Sequence, residues 1–156
     1  MAGSDEGTVR YAAAEDTAAI GRLLHEFNRE FGEPAPPPGW LATRVGQLLQ
    51  HGDTVVLLAG NGPDGLAVLR FRMAIWTEGL EAYLAELYVV PGLRRQGLGR
   101  ALMTAVMEVC RQRGADTISI EVDEPDVGAR RLYESFGFTN REGSEGPLMF
   151  VYERDV

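Results

Sequence analysis

The chain has no lysine: all 15 of its cationic residues are arginine. That excludes Schiff-base chemistry on a lysine and the lysine of a Walker phosphate loop. There is one cysteine, Cys110, which excludes an internal disulfide and a cysteine-based zinc cluster. The two histidines, His25 and His51, lack metal-ligand spacing, so no metal site is expected. No apolar run approaches the roughly 20 residues of a membrane helix, and no membrane partner is expected. Positive charge is scarce overall. The net charge is −8, split evenly between residues 1–80 and 81–156, which argues against nucleic-acid binding. The first residues are small and acidic, with neither a basic nor an apolar leader segment. Residues 1–7 are expected to be a flexible N-terminus, and the setting to be reducing and cytoplasmic.

What is present reads as one domain over residues 8–156, mixed α/β or α+β. Residues 9–11 suggest a short strand. Asp16 or Thr17 is placed to cap a helix carrying Ile20, Leu23, Leu24, Phe27 and Phe31 at helical spacing. The proline-rich run 33–39 breaks it, and Trp40, Leu41, Val45, Leu48 and Leu49 suggest a second helix. Thr54–Ala59 has the β-branched, apolar character of a buried strand. Two more strands follow at 66–76 and 81–90, making a meander. A helix begins near Gly97, with Leu98, Ala101, Leu102, Ala105, Val106 and Val109 on one apolar face and Gly114 as its C′ residue. Cys110 is expected to pack on that helix rather than act as a nucleophile. A strand over 117–122, a short helix capped by Asp126 and a last strand over 148–152 complete the chain. Trp40 and Trp76 are expected to pack in the core or at a hinge, the alternative being a cation held on a ring face.

The stretch Val89-Val90-Pro91-Gly92-Leu93-Arg94-Arg95-Gln96-Gly97-Leu98-Gly99-Arg100-Ala101 carries the chemistry. A strand ends, a glycine-bearing loop follows, and an amphipathic helix starts. The first N–H groups of a helix lack internal partners and form its positive end. Three arginines add charge, and no acid lies between Leu87 and Met107. In an acidic chain this is a local anion site. A dinucleotide fingerprint fails, because Leu102 stands where its third glycine belongs. Arg94-x-x-Gly97-x-Gly99 instead resembles the R/Q-x-x-G-x-G/A motif of the GNAT superfamily of acyl-coenzyme-A-dependent N-acyltransferases. The segment from Asp126 to Phe138, with Ala129, Leu132, Tyr133, Gly137 and Phe138, is similar to that family's N-x-x-A-x-x-L-Y-x-x-x-G-F helix.

The resemblance implies a single-domain GNAT fold. Its sheet is mixed but mostly antiparallel, of about six to seven strands, with a central parallel splay and about four flanking helices. It implies acetyl-CoA as acyl donor and coenzyme A as product. The pyrophosphate would lie on the backbone N–H groups of Arg95, Gln96, Gly97, Leu98, Gly99 and Arg100, with Arg94 at the R/Q position. The pantetheine arm would pair with the backbone of Leu87, Tyr88 and Val89. An amine would attack directly, and a backbone N–H near Tyr88 would hold the tetrahedral oxyanion. Tyr133 holds the family's tyrosine position and is the candidate acid for the leaving thiolate; a core aromatic is the alternative. Asp126 replaces the motif's Asn, so a cap is kept and an amide contact to coenzyme A is lost.

The base does not follow from the motif. Glu86 interrupts an apolar strand, and burial raises a carboxylate toward working pH. The alternative is a solvated edge or an arginine partner. Glu121 or a water chain is the fallback. The acceptor is expected to be a small-molecule amine; a protein or peptide amine and a non-catalytic acyl-CoA-binding regulatory domain are the rivals. A homodimer is expected, with the strand from Leu148 as an edge for pairing.

Overall fold

The structure is a computed structural model and describes residues 8–156. It separates into two compact units, one ending at Ile120 and one spanning Glu121–Val156. The first contains β1 (Val9–Tyr11), α1 (Thr17–Glu30), α2 (Pro38–Gln50), β2 (Thr54–Ala59), β3 (Gly65–Met73), β4 (Leu80–Val89), α3 (Leu98–Gln112) and β5 (Ala115–Ile120). The strands form one five-stranded sheet in the order β1-β2-β3-β4-β5. Neighbours from β1 to β4 pair antiparallel, and β4 pairs parallel with β5. The parallel pair follows from its connection, because a crossover helix, α3, returns the chain to the same end of the sheet.

Every residue of β2 is buried, so both faces of the sheet are covered there. On one face Val56, Leu58, Leu66, Val68 and Tyr88 pack with Ile20 and Leu23 of α1 and Val45 of α2. On the other, α3 contacts all five strands through buried Leu98, Leu102, Met103, Val106 and Val109. Cys110 is buried on α3, as expected of a packing residue. Gly114 takes φ +75° just past α3 and donates its N–H to Arg111 O at 3.1 Å.

The α1–α2 contact depends on Gly21. A Cβ there would lie 2.4 Å from Pro38 O and 2.8 Å from Ala42 N, so the two backbones touch. Asp16 stands at the N-cap position of α1, but its side chain makes no cap hydrogen bond to the helix. A single 3-10 turn over Ala14–Asp16 precedes the helix. Asp16 closes that turn by accepting the Ala13 N–H at 2.7 Å, and it accepts two hydrogen bonds from Arg10 at 2.7 and 2.9 Å. The Arg10 hydrogen bond, reinforced by the Ala13 N–H, holds the Asp16 carboxyl down at about 2.

The second unit holds α4 (Val127–Ser135), capped as expected: the Asp126 carboxylate accepts the Ala129 N–H at 3.1 Å. The strand expected over 148–152 does not form, so the sheet has five strands rather than six to seven. Only one bridge, Arg141 with Leu148, joins its start to the preceding segment. Glu142 N–H bonds Pro147 O at 3.0 Å and Met149 N–H bonds Asn140 O at 2.7 Å, which closes a tight turn, but no ladder continues. The apolar side chains of 148–152 are exposed. Trp40 and Trp76 are also exposed, at 56% and 91%, and neither is a core residue as expected. No helix of the described residues is long and apolar enough to cross a membrane.

Gly21→Ala forces the α1 and α2 backbones apart and lowers stability by about 1–3 kcal/mol in urea unfolding. Gly46→Ala, whose Cβ would meet only Thr17 Cγ2 at 3.8 Å, instead raises stability by about 0.5–1 kcal/mol through helix propensity. For Asp16, the folded value of about 2 lies below the ordinary aspartate value of 3.8. Its contribution is therefore complete above the unfolded value and disappears as pH falls through the folded one. The stability gap between wild type and Asp16→Asn is expected to be constant near neutrality and to close on acidification from pH 4 toward pH 2.

Candidate active site

The site is built around β4. This strand pairs with β3 along its whole length, from Met73↔Leu80 to Gly65↔Val89. Its other edge pairs with β5 only from Leu80↔Ala115 to Leu84↔Ile120. From residue 85 onward that edge has no β5 partner. The β3–β4 register also shifts here: Leu69 faces Leu84 while Val68 faces Glu86, leaving Ala85 as the extra residue of a bulge. A bulge bends and twists its strand and re-aims the next side chain. That side chain is Glu86.

Glu86 is half-buried, and burial pushes its carboxyl up to about 6. Desolvation is the cause of the rise. Among the described residues Glu86 has no arginine partner, the alternative considered for it. Glu121, the fallback, lies just past the end of β5 and is exposed. Tyr88, two residues beyond Glu86, is buried, with its ring 4.9 Å from Phe27 on α1. Phe27 in turn meets Phe31 edge-on at 5.3 Å. Burial raises the Tyr88 phenol, Glu30 and Glu26 raise it further, and Arg94 opposes them.

Beyond Val89 the chain makes a 3-10 turn over Pro91–Leu93 and reaches the glycine-bearing loop. Two left-handed residues shape this loop: Arg95 at φ +63° and Gly97, the N-cap of α3, at φ +90°. Backbone that alternates in handedness turns successive N–H groups toward one concavity, which favours an anion. No side chain caps α3 and no acid stands in its first turn, so the helix offers its positive end. Arg95, Gln96, Gly97 and Arg100 are exposed, whereas the Leu98 side chain is buried in the core.

Arg94, at the motif's R/Q position, makes its side-chain contacts within the protein. Its guanidinium turns toward α1, donating from Nε to Val89 O at 2.9 Å and from Nη2 to the Glu30 carboxylate. It also stacks 5.5 Å over the Tyr88 ring. The β4 edge left without β5, which begins beside Glu86, thus leads through Val89 and the turn at Pro91–Leu93 into residues 94–100 and the start of α3. Sequence reasoning missed two members, Glu30 and the bulge residue Ala85. Glu30 belongs to no motif and meets Arg94 across 64 residues of chain, and Ala85 is one apolar residue in an apolar run.

Tyr133 and Asp126 belong to the second unit. Tyr133 is buried on α4, its ring 6.1 Å from Phe138. The Asp126 carboxylate is engaged as the helix cap. Among the described residues, no group of three or more His, Cys, Asp or Glu is placed to hold a metal ion.

Comparison with known proteins agrees with this geometry. The sequence profile of the acetyltransferase (GNAT) family matches residues 19–138. A mycothiol acetyltransferase of Thermobispora bispora is 48% identical over 121 residues, which is 74% of this chain and 35% of that protein. The chain thus spans about a third of that relative's length. An uncharacterised N-acetyltransferase of Bacillus subtilis, YhfO, is 25% identical over 86% of this chain and 91% of its own length. Among solved structures, a proposed acetyltransferase from Arthrobacter sp. FB24 superposes with a TM-score of 0.90 at 44% identity, covering 100% of both chains. With a profile match across most of its length, and a β4 edge that opens onto an uncapped helix as its motifs imply, the chain belongs to the GNAT acetyltransferase family.

Proposed function

We propose that this chain transfers an acetyl group from acetyl-CoA to the primary amine of a small molecule. The observation that carries the reading is the unpaired edge of β4 from residue 85. It begins at the Ala85 bulge beside Glu86 and runs without a break into the uncapped N-terminus of α3. The donor's pyrophosphate lies on the backbone N–H groups of residues 95–100, where helix dipole and loop curvature favour negative charge. Its pantetheine arm adds to the β4 edge at Leu87, Tyr88 and Val89 through main-chain hydrogen bonds, as an extra strand does.

The acceptor amine attacks the thioester carbonyl carbon. A C–N bond forms, the carbonyl oxygen takes up negative charge, and a backbone N–H of β4 near Tyr88 stabilises it. Glu86 takes the proton that the amine loses, directly or through a water. A carboxyl raised to about 6 suits this task, being ionised at neutral pH yet more basic than an exposed glutamate. Collapse of the intermediate breaks the C–S bond, and the departing thiolate takes up a proton, the role that the resemblance gives to Tyr133; Asp126 caps the helix that carries it.

The small-molecule reading draws on the relative named for mycothiol, which matches across most of this chain. A peptide amine is the second reading. An Escherichia coli [ribosomal protein bS18]-alanine N-acetyltransferase is 43% identical, but over only 58 residues. Thiol release from acetyl-CoA against polyamines, aminoglycosides, amino acids and short peptides separates the two. A rate dependent on a small amine supports the first, a rate with peptides alone supports the second, and no amine-dependent rate overturns both.

With an acceptor in hand, kcat/KM is expected to rise with pH through about 6, as the Glu86 carboxylate forms. Glu86→Gln should abolish that limb and lower the rate by about 10²–10⁴-fold, while acetyl-CoA still binds. In the loop, Gly97→Ala places a side chain at φ +90°. It is expected to cost about 1–2 kcal/mol of stability and to weaken coenzyme A in calorimetry. Gly92→Ala, with open space around its Cβ and no left-handed φ, should leave both unchanged.

A further inference from the structure

The Arg94 side chain is spent on the protein itself. Arginine presents five donors in a rigid planar fork, and here the guanidinium makes three contacts, on β4 and α1. Nε holds Val89 O, the last carbonyl of β4, at 2.9 Å. Nη2 pairs with Glu30, the last residue of α1. The guanidinium carbon lies 5.5 Å over the ring of Tyr88, whose other neighbour is Phe27 of α1. The Arg94 and Glu30 side chains are 40% and 26% exposed, so the pair is partly sheltered from solvent screening. Glu26, the other acid near Tyr88, is 3.5 Å from Arg22 on its own helix, which leaves Glu30 as the partner of the loop.

The end of α1 also governs the segment that follows it. Asn28 Nδ2 donates to Pro34 O at 3.1 Å, and His25 Nδ1 bonds Pro36 O at 2.8 Å. Residues 31–37 are therefore fastened to α1, and α1 is fastened to the anion loop through Glu30 and Arg94. We propose that Glu30 is a positioning residue: its pair with Arg94 couples coenzyme A binding at residues 95–100 to the order of the last turn of α1 and the segment it carries. The proposal rests on the reading that the loop binds coenzyme A. It assigns Arg94 to the clamp and leaves the phosphates to the loop backbone. Such coupling is reciprocal: what orders α1 also strengthens the loop for its ligand.

The test is amide hydrogen exchange on the full chain with and without coenzyme A, alongside calorimetric Kd values. In wild type, coenzyme A is expected to slow exchange at 95–100 and also at 27–31, the latter by about fivefold or more. Glu30→Gln should keep protection at 95–100, lose the response at 27–31, and bind coenzyme A more weakly. Arg94→Lys keeps the charge but lacks the fork that reaches Val89 O and Glu30 together, and it should lose the same response. A phosphate-binding Arg94 gives the opposite pattern: Glu30→Gln, by removing a nearby negative charge, tightens coenzyme A, and Arg94→Lys stays close to wild type. That pattern, or a wild-type response confined to 95–100, overturns the coupling while leaving the acetyl-CoA reading intact. Absence of coenzyme A binding overturns that reading instead. A merely structural role for Glu30 would lower stability without removing the ligand-dependent response.

Discussion

A strand inside a sheet has donors and acceptors on both edges, and those away from water need partners. β4 meets that requirement on its β3 edge from end to end and on its β5 edge only as far as Leu84. This half-met ladder is the constraint on which the site depends. It leaves main-chain groups of residues 85–89 able to take an extended ligand. The Ala85 bulge turns Glu86 at the point where the opening starts. Because β4 runs through Val89 into the loop and α3, the same strand that offers the edge also delivers the chain to the anion site.

The charges of the molecule divide by environment. Asp16 is held low by Arg10 and the Ala13 N–H, whereas Glu86 is held high because burial strips it of water. The first is an ion pair that closes a turn, and the second is a carboxyl poised near working pH. In a chain of net charge −8, the anion site does not rely on a surplus of cations. Arg94, the motif arginine, binds Glu30 and Val89, and the positive character at the start of α3 comes from uncapped backbone N–H groups and the helix dipole.

Much of this was legible in the sequence. The apolar spacing of Ile20, Leu23 and Val45, and of Leu98, Leu102 and Val106, placed three helices, and the runs around Thr54, Leu66 and Leu84 placed a three-strand meander. Gly97 marked the start of α3, Gly114 its end, and Asp126 the cap of α4. Failures came where a local pattern had more than one outlet. Asp16 has the chemistry of a helix cap, but Arg10 and the Ala13 N–H compete for the same oxygens and win. Residues 148–152 have strand composition, yet composition supplies no partner, and a strand without a ladder is not one. Trp40 and Trp76 are as apolar as core residues, and one-way burial rules allow large apolar groups outside.

The sequence by itself determined most local conformations and the family, because turns, caps and amphipathic faces are set by near neighbours and the motifs by their spacing. Tertiary structure alone decided three things: the pairing of Glu30 with Arg94, the desolvation of Glu86, and the length over which β4 lacks a second partner. Each depends on segments far apart in the chain meeting in space, and neither local propensity nor motif spacing encodes that distance.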